Sequence, residues 1–222
     1  MRIALLLLLS ALLLATPAAA AEPLTYPPFD DAGQQPTFKT YRDKLIAAVE
    51  KRDVAAVVAM ASPEVELSFG GDSGRETLRQ WLSAADAEPY WESLERVLKE
   101  GGTFQEGLFI APWTFHYVAP ETMDIYSIAI VAGKNVRLRA EPSTAGKVIR
   151  ALTYEVVEMP PYDQGREDRV TDPSGREWLR VRTTVGEEGW MASEFLRFLI
   201  DYRAGFQHTP QGWQMLFFVA GD

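Results

Sequence analysis

Asn135-Val136-Arg137-Leu138-Arg139-Ala140-Glu141-Pro142-Ser143 is the stretch that decides most about this chain. Val136 and Leu138 alternate with Arg137 and Arg139. That is the period-two pattern of a strand with an apolar face turned inward and the arginines flanking outward. Pro142-Ser143 then turns the chain. A second strand is expected around Val148-Ile149 and a third between Tyr154 and Met159. Residues 160–175 are polar and begin with two successive prolines, which predicts a surface loop. Trp178 to Arg182 reads as a fourth strand, and the turn at Gly186 to Gly189 opens a fifth at Gly189-Trp190-Met191. Several short strands within about 70 residues predict a small barrel. Val136, Leu138, Val148, Leu152 and Val156 are expected to fill it, with Trp178 and Trp190 closing it.

Residues 134–198 resemble the bacterial SH3 family. The resemblance is carried by Asn135-Val136-Arg137, Pro142-Ser143, Val148-Ile149 and Leu152, then by Trp178-Leu179-Arg180-Val181 and Gly189-Trp190-Met191 before Phe195-Leu196. The family pattern has an N-V-R strand, a G-P-S turn, a V-I strand, W-x-x-V and G-W-V. This chain departs from it at Glu141, where many members carry glycine. The resemblance implies an SH3-like barrel in an exported protein that binds cell-wall peptides or other envelope proteins. Two readings of its ligand side stay open. In one, Tyr162, Asp163, Arg166 and Asp168 form a recognition edge with Trp190. In the other, the loop is solvated surface and Trp190 belongs to the core or rim.

Outward toward the N-terminus, Arg2 is the only charge before Glu22, and Ile3 to Ala15 is apolar except for Ser10. Thr16-Pro17 breaks the run and Ala18 to Ala21 offers small residues. These are the parts of a secretory signal peptide, expected to be cut after Ala20 or Ala21. The run is short for a membrane span, which takes about 20 apolar residues. The alternative is an uncleaved anchor. The expected product is periplasmic or secreted, with no membrane span after cleavage. It is unlipidated, because the chain has no cysteine to carry a lipid.

Between leader and barrel the texture is helical. Residues 22–36 hold four prolines and read as an extended leader. Thr37 is placed to cap a helix through Tyr41, Leu45, Ile46 and Val49, and Asp53 to cap a second over Val54 to Met60. Val65, Leu67 and Phe69 alternate as a strand. Ser73 to Glu76 has the S-x-x-E form of a capping box, and Pro89 suits the first turn of a fourth helix carrying Trp91, Leu94, Val97 and Leu98 inward. The run from Ala47 to Val65, with helix, acidic cap, helix and Pro-Glu-Val strand, resembles the opening of nuclear-transport-factor-2-like cone-shaped α+β domains.

After the barrel, residues 200–206 and Trp213 to Ala220 read as a hairpin turning at His208-Thr209-Pro210-Gln211-Gly212. An isolated hairpin is marginally stable in water, so it needs a host sheet. It either completes the N-terminal domain, leaving the barrel as an insertion, or packs on the barrel. The expected fold is therefore α+β, a small SH3-like β-barrel attached to or inserted in a helical α+β domain completed by a C-terminal β-hairpin. The expected segments are a signal peptide at 1–21, a leader at 22–36, an α+β domain at 37–122, the barrel at 123–198 and the hairpin at 199–222.

Chemistry narrows the function classes. The net charge of −9 disfavours nucleic acid and anionic lipid as partners, because the long-range field repels both. The absence of cysteine removes disulfides, thiolate metal sites and thiol catalysis. The two histidines, His116 and His208, have no metal-ligand spacing, and no cofactor motif occurs. Three readings remain. One is a non-catalytic wall-binding module, and another a scaffold for an envelope protein. The third is a small-molecule binder or acid–base enzyme with His116, Asp72 and Asp124 around a pocket in the N-terminal domain. N-terminal sequencing of the exported product is expected to read from Ala21 or Glu22. A product that keeps Met1 identifies the uncleaved anchor instead.

Overall fold

A computed structural model describes residues 21–160 and 167–221. The expected signal peptide, apart from Ala21, lies outside these residues, as do Tyr162, Asp163 and Arg166. In chain order the helices are α1 (Pro36–Glu50), α2 (Val54–Met60), α3 (Arg75–Ser83) and α4 (Glu88–Lys99). The strands are β1 (Ala61–Glu66), β2 (Thr103–Gln105), β3 (Leu108–Ala111), β4 (Ile128–Val131), β5 (Val136–Arg139), β6 (Val148–Leu152) and β7 (Val156–Glu158). They continue with β8 (Arg169–Thr171), β9 (Glu177–Thr183), β10 (Glu188–Ala192), β11 (Leu196–Phe198), β12 (Tyr202–Thr209) and β13 (Gly212–Ala220).

Two sheets divide these strands. The first has the order β1-β13-β12-β3-β2. The terminal hairpin β12–β13 therefore occupies its middle. β13 runs parallel to β1, with Ala61 beside Met215, and β12 runs antiparallel to β3, with Phe206 beside Phe109. All four helices contribute to one core with this sheet, built around Phe38, Leu45, Val57, Leu78, Trp91, Leu94, Phe109, Phe206 and Phe218. At Gly205 a side chain is impossible, since a Cβ there would sit 2.1 Å from the Phe217 ring. The strand bulges at Gly205–Phe206 and lets that ring cross.

Helix starts follow local chemistry, with two departures from expectation. Asp53 caps α2 by accepting the Ala56 N–H at 3.0 Å, as its position suggests. α1 begins one residue before Thr37, because Pro36 sits in its first turn with a preset φ and no N–H to satisfy. Thr37 instead accepts a hydrogen bond from the Trp213 indole. The Ser73–Glu76 capping box does not form. Ser73 bridges to Glu66 and extends the strand ladder, and Gly74, at φ 88°, turns the chain into α3. Phe69 leaves the strand pattern because Ser68 and Asp72 close a turn around it, and its ring is exposed.

The second sheet has the order β11-β4-β7-β9-β10-β5-β6, with β8 paired to β9. Ala129, Val131, Val136, Leu138, Leu152, Val157, Leu179, Val181, Met191 and Leu196 meet in one cluster. Residues from all seven strands of the path share this interior, so the sheet curls around it as a barrel. Four expectations are corrected here. Val148 and Ile149 are exposed, since β6 is an edge strand. Trp178 and Trp190 lie outside the barrel, because Leu179, Val181 and Met191 take the inward positions of β9 and β10. The 160–175 segment is not all loop, since β8 pairs with β9. Arg139 is buried and donates to the Gly146 carbonyl at 2.6 Å.

Glu141 explains its own departure from the family pattern. Its carboxylate accepts the Lys147 N–H at 2.9 Å and closes the turn. A Cβ at Gly146 would meet the Glu141 carbonyl at 2.7 Å, so the turn needs glycine at that end.

The two sheets are joined by a third core. All four residues of β4 are buried. Ala129 and Val131 face the barrel, while Ile128 and Ile130 meet Trp113 and Val156 on the other side. Val156 thus belongs to this junction and not to the barrel interior. The leader completes it. Tyr26 and Phe29 pack on the cluster, and Tyr26 N–H donates to the Tyr154 carbonyl at 2.7 Å. A few residues on, Asp30 takes a bidentate hydrogen bond from Arg42 of α1 at 2.6 and 2.8 Å, and Asp31 N–H donates to Gly102. Residues 22–36 therefore strap the barrel to the helical half and are not a spacer. Arg197 of β11 pairs with Glu100 at the end of α4, and Arg96 with Asp201 at 2.8 Å.

Such a shared core predicts one unfolding transition. Ile130→Ala removes a fully buried side chain from the junction and is expected to cost about 2–5 kcal/mol. Helical far-UV and tryptophan near-UV signals should melt together at a lower midpoint. Separate melting of the two signals would show independent halves.

Candidate functional site

The register of β5, β10 and β9 builds an outward-facing checkerboard. Trp190 stands across from Arg139 on one side and from Arg180 on the other. Two residues along, Ala192 stands across from Trp178, and continuing the antiparallel Trp190–Arg139 pairing by two residues sets it beside Arg137, which lines the same groove. A small residue between two large ones leaves a groove of about 470 Å3, floored by Ala192 and Trp178. Lys134, Arg137, Arg139 and Arg176 supply its charge, and Phe195 a partly exposed ring.

The four cations differ in how they are held. Arg139 is tied to the Gly146 carbonyl, and Arg176 faces Glu194 at 3.2 Å. Lys134 and Arg137 are exposed and have no ion-pair partner among the described residues. The groove therefore concentrates uncompensated positive charge in a chain of net charge −9.

Trp178 is fixed from behind. Its indole N–H donates to Asp172 at 2.9 Å, within the Asp172-Pro173-Ser174-Gly175 turn that joins β8 to β9. Hydrogen bonds from the Ser174 hydroxyl, then from Trp178, then from the Arg176 and Ser174 amides hold the Asp172 carboxyl down at about 2. The carboxylate thus stays ionised, and the ring oriented, well below neutral pH.

The residues singled out from sequence fall in different places. Trp190 is buried, and the Arg180 guanidinium lies 4.8 Å from its ring centre. Arg180 also faces Asp168 at 3.4 Å and donates its backbone N–H to the Asp168 carbonyl. Asp168 and Trp190 are thereby brought together through Arg180, as a packed rim beside the groove. Tyr162, Asp163 and Arg166 lie outside the described residues. His116 faces the Ile110 carbonyl at 3.1 Å. Asp72 closes the turn with Ser68, and Asp124 lies in a separate cleft with Tyr126, Glu158 and Arg182. None of the cavities described here is lined by more than one of these three.

Among the described residues no three His, Asp or Glu side chains converge to hold a metal ion, and no helix is long and apolar enough to cross a membrane. The groove residues Lys134, Arg176 and Ala192 were not singled out from sequence, and Phe195 entered only through the family pattern. The available signal was the alternation itself, which puts Arg137 and Trp178 on outer faces; which strands lie side by side was not legible.

Because the Asp172 carboxyl is depressed from its ordinary value, its hold on Trp178 is fully present above about pH 4 and fades as the pH falls through about 2. The Trp178 indole N–H resonance is expected to titrate there, and Asp172→Ala to abolish that titration. An indole resonance insensitive to the substitution would refute the contact.

Residues 134–197 match the family model of the bacterial SH3 domain, a span of less than half the chain. No curated protein matches the chain. Two solved structures align over most of it. One is an NTF2-like protein of unknown function from Pseudomonas putida, with 10% identity, 86% of this chain and 87% of the other covered, and a TM-score of 0.27. The other is an NTF2-like protein with a cystatin-like fold from Novosphingobium aromaticivorans, with 12% identity, 85% and 86% covered, and a TM-score of 0.26. The barrel of this α+β chain, over residues 134–197, is a bacterial SH3 domain.

Proposed function

We propose that this chain is an exported, non-catalytic protein of the bacterial envelope whose barrel groove binds carboxylate-bearing peptides, those of the cell wall first among them. One observation carries the reading: Lys134 and Arg137 stand without ion-pair partners beside the apolar floor of Trp178 and Ala192. A carboxylate meets the guanidinium in a charge-assisted, bidentate geometry. An adjacent aliphatic side chain of the ligand rests against the exposed Phe195 ring and gains burial. The bacterial SH3 match supports a peptide-binding module. The signal-peptide pattern of residues 1–21 supports the compartment. A peptide segment of another envelope protein with the same chemistry is the other ligand this groove would take.

Intact sacculi are expected to retain the protein at low salt, and soluble wall peptides to release it. Arg137→Glu combined with Lys134→Glu should weaken binding by at least about tenfold, since each lost charged hydrogen bond is worth about 1.5–3 kcal/mol. Both side chains are exposed, so the melting temperature should hold. Retention unchanged by the double substitution would remove the groove from the binding. No retention and no affinity for wall peptides would defeat the wall-binding reading, and capture of an envelope protein alone would select the other ligand.

A further inference from the structure

A second cavity, of about 460 Å3, lies where the β12–β13 turn and the β2–β3 turn meet the start of α1. It is lined by Gln34, Gln35, Thr37, Phe104, His208 and Trp213, with Gly107 at its edge. The two rings are anchored from below. Phe38, fully buried, lies 4.9 Å from Trp213 and 5.6 Å from Phe104 between ring centres. Phe109 and Phe206 fill the space behind Phe38. The floor is therefore rigid and aromatic, and the interior beneath it is solid.

The rim carries hydrogen-bonding capacity that the protein does not use. The exposed carboxamides of Gln34 and Gln35 make no side-chain hydrogen bond among the described residues. The His208 ring touches the Trp213 edge at 5.3 Å and has no hydrogen-bond partner there either. Thr37 accepts from the Trp213 indole at 3.0 Å, which leaves its hydroxyl proton free to donate outward. A Cβ at Gly107 would meet nothing within 4 Å, so the cavity is open on that side.

Charge is the deciding observation. No Asp, Glu, Lys or Arg lines this cavity, although such residues make up 24% of the chain. A charged ligand would find no counter-charge. A wholly apolar one would cover the carboxamides and imidazole without pairing them, which is unfavourable. What fits is a neutral molecule with one apolar face and a hydrogen-bonding perimeter. We infer that this cavity binds a neutral sugar, its C–H face on Phe104 and Trp213 and its hydroxyl or acetamido groups on Gln34, Gln35, Thr37 and His208. This site is independent of the barrel groove and does not rest on the peptide reading.

The test is a titration of the chain from Glu22 onward with N,N′-diacetylchitobiose, followed by 1H–15N spectra. The Trp213 indole and Gly107 amide resonances are expected to shift saturably, while those of Lys134 and Arg137 stay in place. Gln34→Ala with Gln35→Ala should weaken binding about 25-fold and His208→Ala about fivefold, at about fivefold for each neutral hydrogen bond lost. These side chains are exposed, so melting temperatures are expected to hold. Glucuronate and benzamide should each bind at least about tenfold more weakly than the disaccharide. The inference is overturned by no saturable shift up to about 20 mM disaccharide. It is equally overturned by unchanged affinity in both variants, or by benzamide binding as tightly as the sugar. Loss of this site leaves the binding of soluble wall peptides through Arg137 untouched, and the reverse also holds.

Discussion

The pairing of β12 and β13 with β3 and β1 is the constraint on which the rest of the molecule depends. The two middle strands of the first sheet come last in the chain, after the whole barrel has been made. Without them β1 has no neighbour, and β2–β3 is a short hairpin with an apolar edge. With them, Phe206, Met215 and Phe218 meet the helices, and the core around Phe38 closes. The Ala61–Met215 pairing spans most of the sequence. Such long-range contacts must repay a large loop-closure entropy before they stabilise anything. The barrel shortens that loop by bringing Val131 and Leu196 side by side in β4 and β11.

Insertion alone would leave the two halves hinged on a pair of strands. The third core makes them one body. β4 is buried on both faces, so it serves the barrel with Ala129 and Val131 and the junction with Ile128 and Ile130. The leader crosses the same boundary, with Tyr26 bonded to Tyr154 and Asp30 bonded to Arg42. Burial pushes the Asp30 carboxyl up, but the Arg42 guanidinium and the Ala32 amide outweigh it and hold it below the ordinary carboxylate range. At the Glu100–Arg197 pair burial prevails, and the Glu100 carboxyl is raised despite its partner. This cysteine-free chain is held by packing and by these cross-boundary polar contacts.

Both candidate sites follow from what the packing leaves over. On the barrel, the inward positions of β9 and β10 go to Leu179, Val181 and Met191, which forces Trp178 and Trp190 to the outer face. Val170 of β8 stands across from Trp178 and packs with Trp178, Trp190 and Ala192, so the apolar group left exposed along the cationic groove is Phe195. In the helical half, the core is filled by Phe38, Phe109 and Phe206, and Phe104 and Trp213 remain partly accessible at its rim beside the cavity. One site is positively charged and the other is lined by neutral groups. They suit different chemistry.

Local sequence determined the elements whose cause is local. Strand β5 with Val136 and Leu138 inward, the Asp53 cap, Pro89 in the first turn of α4 and its inward Trp91, Leu94, Val97 and Leu98 all stand as read. The bacterial SH3 pattern was legible because it depends on spacing along a single stretch. Tertiary structure decided the rest. Whether Arg139 is buried, whether Val156 faces the barrel or the junction, and whether the leader is a strap depend on what lies across from each residue. The groove is the clearest case. Arg137, Ala192 and Trp178 are far apart in sequence, and only strand register makes them neighbours. Period two tells which side of a strand a residue takes, but register between strands is set by the cores they close, and those are not written in any one segment.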